Sequence, residues 1–323
     1  MINYKKIAVL GCGYWGTIVI NTLISLKIFN KIYIYDPDSL KVRILKKKFK
    51  KKIEYLNYNS ILCDNSIKNI FLATPPRSNF KILKKLINSK KNILIEKPGL
   101  ISLKEFSIVK KLLKKNNTKL LFGYVYVYNQ YIQYIKKLIK TKKLGIIKYI
   151  NFQRQNFGPI RNNVSSIYDL ATHDISILHF LFDKTSKFKS KVVHDIFKKK
   201  NFDISFLNLE INQTKVDINV SWLNPEKIRK IIIIGSKKML VFDEMNNEKP
   251  IKIYDNYVSF PKIDKFSNNF FNQSKYIYKG KSHPIRFKEK KPLDEEIKHF
   301  LKSNKIITDI DFSEKIIKTI SKL

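Results

Sequence analysis

Three groups of residues in this chain have the types and spacing to do chemistry. The first is Gly11-Cys12-Gly13-Tyr14-Trp15-Gly16, a G-x-G-x-x-G loop directly after the apolar run Ile7-Ala8-Val9-Leu10. Such a loop opens a helix whose first-turn N–H groups lack intrahelical partners and point at an anion, with the positive end of the helix dipole behind them. Gly11 permits the tight turn, Gly13 lets the backbone approach a pyrophosphate, and Gly16 lets helix and strand pack closely. The second group is Glu96-Lys97-Pro98, directly after Asn92-Ile93-Leu94-Ile95. An ammonium there can hydrogen-bond a substrate oxygen and stabilise developing negative charge. The third is Asp169 and His173, four apart in Tyr168-Asp169-Leu170-Ala171-Thr172-His173-Asp174. On a helix they share a face, and a carboxylate beside an imidazole orients it and raises its basicity. That suits a base taking a proton from an alcohol. The same spacing suits a capped helix with a core histidine, and that alternative stays open here.

The elements that must position these groups follow from periodicity. Strand patterns at Ile7–Leu10, Lys31–Tyr35, Ile70–Ala73, Asn92–Glu96 and Lys119–Phe122 alternate with helical patterns at Tyr14–Leu26, Ser39–Lys48, Asn79–Ser89 and Leu103–Lys115. Alternation of this kind predicts a doubly wound parallel sheet with its ligand crevice at the carboxyl ends of the strands. Thr74-Pro75-Pro76 follows the third strand at that end. Asp36 ends the second strand, where a carboxylate meets the adenosine ribose hydroxyls and repels a 2′-phosphate. The expected cofactor is therefore NAD.

After Gly123 the pattern changes. Helices are expected at Asn129–Thr141 and Ser165–Phe182. Strands are expected at Ile146–Phe157, Lys191–Phe197, Ile204–Ile211, Lys215–Trp222, Lys230–Gly235 and Lys238–Phe242, with possible edge strands at Ile251–Tyr254 and Tyr276–Tyr278. This predicts an α/β chain with a Rossmann domain at residues 1–122 and an α+β domain at 123–323 carrying a large, mostly antiparallel open sheet. Two helices close the chain, the second with a capping-box start at Asp311-Phe312-Ser313-Glu314. The two helices of the second domain are too few to cover both sheet faces, so a homodimer or homotetramer is expected.

Composition bounds the alternatives. The 64 basic and 26 acidic residues give a formal charge of +38, which ordinarily suggests nucleic acid. Only Arg43, Arg77, Arg154, Arg161, Arg229 and Arg286 are arginines, and the lysines lie dispersed on polar helix faces. Specific nucleic-acid recognition is therefore not expected. Residues 7–26 carry no charge, as in a signal peptide or a membrane span. Three glycines, Thr17, Thr22 and Asn21 make that stretch a poor apolar helix, so no membrane association is expected. Cys12 and Cys63 have neither metal nor redox spacing, which fits a reduced, cytoplasmic protein. The remaining histidines, His179, His194, His283 and His299, form no zinc set, and no metal is expected.

Taken together, the glycine loop, Glu96-Lys97-Pro98 and Asp169-x-x-x-His173 resemble the Gfo/Idh/MocA oxidoreductases over nearly the whole chain. The resemblance implies hydride transfer between a ring carbon of a sugar, polyol or nucleotide sugar and NAD or NADP. It implies Lys97 as the active-site lysine, with a cis bond common before the following proline, His173 as the acid/base and Asp169 as its partner or a substrate ligand. It places Thr74, Pro75 and Glu96, with Gly11, Gly13, Tyr14, Trp15, Gly16 and Asp36, around the dinucleotide. Gly13-Tyr14-Trp15-Gly16, His173-Asp174-Ile175-Ser176, Ser221-Trp222-Leu223-Asn224-Pro225 and Pro292-Leu293 followed by Glu296-Ile297-Lys298-His299-Phe300 resemble the branch acting on UDP-N-acetylhexosamines in surface-polysaccharide synthesis. Asn79 and Tyr124 stand where that family often has histidine, and Thr172 where it often has proline. A polyol or inositol-type dehydrogenase is the enzymatic alternative. A non-catalytic dinucleotide sensor is the alternative of another class, against which Lys97, Asp169 and His173 count. Tyr124 and Tyr168 are the next candidates for the base.

Overall fold

The computed structural model describes residues 4–160, 164–198, 201–259 and 277–323, in two compact units. The first is built on β1 (Tyr4–Leu10), α1 (Tyr14–Leu26), β2 (Phe29–Tyr35), α2 (Ser39–Phe49), β3 (Glu54–Tyr55), α3 (Tyr58–Cys63), β4 (Asn69–Leu72), α4 (Pro76–Asn88), β5 (Asn92–Glu96), α5 (Leu103–Asn116) and β6 (Leu120–Gly123). All six strands are parallel, in the order β3-β2-β1-β4-β5-β6. Both faces are covered, so the strand centres are apolar throughout. Ile7 to Leu10, Ile70 to Leu72 and Ile93 to Ile95 are all buried, as parallel sheets require. The order reverses between β1 and β4, which opens the crevice at their carboxyl ends. The sequence pattern misses β3 and α3. β3 has only two residues, and α3 a single hydrogen-bonded stretch capped by the Asn57 side chain on the Ser60 N–H at 2.9 Å.

The second unit contains α6 (Gln130–Lys140), β7 (Ile147–Phe157), α7 (Thr172–Phe182), β8 (Lys187–His194), β9 (Ile204–Ile211), β10 (Thr214–Ser221), β11 (Leu223–Gly235), β12 (Met239–Asp243), β13 (Ile251–Tyr254), β14 (Tyr257–Val258), β15 (Ile277–Tyr278) and β16 (Ser282–Ile285). Eight strands form one sheet in the order β16-β13-β12-β11-β7-β10-β9-β8, antiparallel except for the β7–β10 pair. Alternation sets its two faces. Ile150, Phe152 and Arg154 of β7 are buried, while Asn151, Gln153 and Gln155 point to the other side. Tyr276, the first residue of the expected strand at 276–278, lies outside the described residues.

Three local expectations are corrected. β8 lies four residues earlier than the pattern suggests, because the Asp203 carboxylate captures the N–H groups of Ile196 and Phe197 at 2.9 and 3.2 Å and takes them out of the ladder. The stretch expected as one helix from Ser165 begins with a π turn, Ile167–Ala171, which runs into α7. The final helices are α8 (Pro292–Lys302) and α9 (Ile310–Ile320). The cap of α9 is Asp309, whose carboxylate accepts the Phe312 N–H at 2.8 Å, and not Asp311. Glu314 instead pairs with Lys110 of α5 at 2.7 Å.

The unit boundary also differs from the expected division at residue 122. The first unit comprises residues 1–128 and 290–318, and the second residues 129–289 and 319–323. α8 and most of α9 thus complete the Rossmann unit. The Phe122 N–H donates to the Thr308 carbonyl at 2.8 Å, and the Tyr124 and Tyr128 hydroxyls bond Ser313 and Thr308 at 3.0 and 3.1 Å. These bonds occupy the β6 side of the sheet, where an open edge would otherwise remain.

Candidate active site

The glycine loop of the first unit is set by close approach. Gly11 has φ +101°, and a Cβ there would lie 2.5 Å from the Ala73 carbonyl oxygen. A Cβ on Gly16 would lie 2.0 Å from the Gly11 carbonyl oxygen, so α1 starts against the loop itself. Gly13 differs, since a Cβ there would meet nothing within 4 Å. Its backbone faces open space, as a phosphate cradle requires.

Asp36 fixes this loop to the end of β2. One carboxylate oxygen accepts the Cys12 N–H at 2.8 Å and the other the Asp38 N–H at 2.9 Å. The remaining lone pairs suffice for ribose hydroxyls. Cys12 is buried, and burial pushes its thiol up to about 12, with Asp36 adding to the effect. It stays an uncharged thiol.

A cavity of about 660 Å³ brings together Gly11, Gly13, Asp36, Thr74, Pro75, Glu96 and Lys97, with Tyr35, Tyr58, Ser78 and Lys41 also on its wall. Seven residues singled out from sequence thus share one space. Three others do not line it. Gly16 acts through packing, Tyr14 is exposed, and Trp15 is half-buried. A second cavity of about 700 Å³ shares Tyr35, Asp36 and Pro37 with the first and adds Arg43, Lys46, Lys47 and Tyr55. Cations therefore stand on the far side of Asp36.

β5 delivers Glu96 and Lys97 to the crevice, and the Lys97–Pro98 bond is cis. Desolvation raises the Glu96 carboxyl above its ordinary value, with Lys97 acting in the opposite direction. Asn79 of α4 has a definite place. It is buried, accepts the Thr74 hydroxyl at 2.6 Å and donates to the Gly99 carbonyl at 2.9 Å. It ties the Thr74-Pro75 loop to the loop after Lys97. A buried polar residue on an otherwise apolar helix stripe is the one sequence signal that could have found it.

In the second unit, the π turn and α7 carry Asp169 and His173. Every residue from Ser165 to Leu181 is buried except Tyr168, Asp169 and His173. The two residues chosen for chemistry are thus among the three accessible points of a buried segment. π turns cost backbone energy and recur at functional sites. The adjacent Asp174 is buried and held bidentately by Arg154 of β7, at 2.8 to 3.1 Å. Of the alternative bases, Tyr168 is half exposed. Tyr124 is fully buried in the first unit, and desolvation raises its phenol, which disqualifies it as a base.

Residues 5–124 match the family model described as "Oxidoreductase family, NAD-binding Rossmann fold", and residues 132–241 match "GFO/IDH/MocA C-terminal domain". Glucose-6-phosphate 3-dehydrogenase of Bacillus subtilis (strain 168) is 24% identical over 192 residues, covering 55% of this chain and 54% of that protein. The chain spans about half the length of the curated relatives it matches. Among solved structures, UDP-N-acetylglucosamine 3-dehydrogenase GnnA from Acidithiobacillus ferrooxidans has a TM-score of 0.79 at 16% identity, covering 100% of this chain and 97% of that one. GenD2 from gentamicin A biosynthesis, in complex with NAD, has a TM-score of 0.77 at 14% identity, covering 99% and 93%. At these identities the likeness is one of fold. Among the described residues, no helix is long and apolar enough to cross a membrane.

Proposed function

Since this chain belongs to the Gfo/Idh/MocA oxidoreductase family, we propose that it is an NAD-dependent dehydrogenase acting on a ring CH–OH of a sugar or nucleotide sugar. The observation that carries the reading is the cavity joining the glycine loop, Asp36, Thr74, Pro75, Glu96 and Lys97. Those residues fit a dinucleotide. Gly13 leaves room for the pyrophosphate, the first turn of α1 offers N–H groups, and Asp36 meets the ribose. A nucleotide sugar is favoured by the fold shared with the UDP-N-acetylglucosamine 3-dehydrogenase. The glucose-6-phosphate relative likewise bears a 3-dehydrogenase name.

Bound NAD supplies the hydride acceptor. The chain supplies the rest. Lys97 holds the substrate oxygen through its ammonium and stabilises charge that builds there. His173 takes the hydroxyl proton at its imidazole, and Asp169 orients that ring and stabilises the imidazolium.

The test is a thermal-shift screen of nucleotide sugars, sugar phosphates and polyols, each with and without NAD. A compound that raises Tm only with the cofactor identifies the substrate class. Stabilisation by a polyol alone among these would replace the nucleotide-sugar reading. Failure of NAD and NADH to shift Tm at all would remove the dehydrogenase.

A further inference from the structure

Asp169 sits on the π turn Ile167–Ala171. The Thr172 N–H is shared between the carbonyls of Ile167 and Leu170. An outside partner reaches the carboxylate. The indole Nε1–H of Trp222 donates to Asp169 Oδ2 at 3.3 Å. Trp222 lies between β10 and β11, its side chain fully buried. Its backbone is fixed on both sides. The Trp222 N–H donates to the Asp203 carbonyl at 3.1 Å, and the Trp222 carbonyl accepts the Gly158 N–H at 2.8 Å. An indole N–H only donates. It therefore secures one carboxylate oxygen as an acceptor. Among the described residues, the charged groups near this segment include Arg154 of β7 and Asp174 of α7, paired with each other, and Arg229 of β11.

Resting on the acid–base reading above, we propose that Trp222 is a positioning residue for the pair. Its indole N–H pins one oxygen of Asp169, so the carboxylate keeps its aim along the face it shares with His173. Trp222 touches no reacting atom in this scheme and acts only through Asp169.

The experiment is histidine-selective NMR on the full chain, following the imidazole titration of each of the five histidines. His173 is assigned by its loss in His173→Gln. Asp169→Asn is expected to lower the His173 pKa, because a carboxylate partner favours the imidazolium. Trp222→Phe keeps a large ring and removes the donor. It is expected to lower the His173 pKa by at least half the shift seen in Asp169→Asn, while the other four titrations stay in place. A second readout does not depend on how Trp222→Phe folds. The indole N–H resonance of Trp222, one of two in the chain, should move in Asp169→Asn relative to wild type. An unchanged or raised His173 pKa in Trp222→Phe, with Asp169→Asn active, overturns the role of Trp222 and leaves the pair standing. An indole resonance indifferent to Asp169→Asn overturns it as well. A His173 titration indifferent to Asp169→Asn removes the pair itself, and the positioning role with it.

Discussion

At the scale of single residues, the clearest prediction concerns the adenosine end of the cavity. A 2′-phosphate would meet the Asp36 carboxylate, so NADH should bind at least about tenfold more tightly than NADPH, on the order of 1.4 kcal/mol. Arg43, Lys46 and Lys47 line the neighbouring space and work the other way. Arg43→Ala should therefore widen the preference, and equal fluorescence titrations of the two cofactors would sink the assignment. Catalysis gives the second prediction. His173→Ala should lower kcat by roughly 10²–10⁴-fold with NADH affinity intact, and Lys97→Ala should do comparable damage. Near-normal turnover in His173→Ala would leave Tyr168 as the remaining candidate base. That Gly11, Gly13, Asp36 and Lys97 share one cavity was legible in the sequence because their positions follow from neighbours in the chain: a turn, a strand end, a proline. The contacts of Asn79 and Trp222 were not. Their partners, Gly99 and Asp169, lie 20 and 53 residues away, so no local pattern names them, even though the apolar stripe of α4 marks the position of Asn79.

At the scale of elements, α7 is anchored to β7 by the buried Arg154–Asp174 pair. Arg154→Met would leave a carboxylate buried without its cation, at a cost of about 3–5 kcal/mol. The double variant Arg154→Met with Asp174→Leu should recover most of that loss, and urea denaturation of the four proteins in the cycle decides it. Glu296 of α8 is a different case. It is fully buried, and desolvation, with Glu96 as a second cause, raises its carboxyl well above the ordinary value. The folded chain then holds this proton to higher pH than the unfolded chain does. Stability falls as pH rises through that interval, by up to about 1.4 kcal/mol per pH unit. Glu296→Gln should flatten the fall that sets in above the ordinary carboxylate range, and an unchanged slope in denaturant titrations would show that the carboxyl is charged. Long periodic elements such as α1, β5 and β9 were readable to within a residue. The ends of β8 and α9 were instead decided by carboxylates that capture backbone N–H groups. Asp203 ended β8 early, and Asp309 rather than Asp311 started α9.

At the scale of the whole molecule, the eight-stranded sheet leaves one face to explain. Ile232 and Ile234 of β11 and Val241 of β12 point away from the buried side, and the adjoining Tyr149 hydroxyl donates to Asp217 at 2.6 Å. An apolar stripe of this kind is the surface on which a second copy would pack. A homodimer or homotetramer is expected in light scattering at micromolar concentration, and Ile232→Lys should shift it toward monomer. A wild-type monomer would refute this. The strand-rich half was legible as one open sheet. Its division from the first half was not, because residues 290–318 return to the earlier unit.

That return has a consequence for synthesis. The Rossmann unit is not finished when its sixth strand is made. The groups that satisfy Phe122, Tyr124 and Tyr128 are Thr308 and Ser313, and a ribosome reaches them only after adding the whole of residues 129–289. Until then the nascent first half has β6 with its Phe122 amide unanswered and two phenols without their hydroxyl partners. Nascent chains halted before residue 308 should therefore carry an unfinished nucleotide-binding unit.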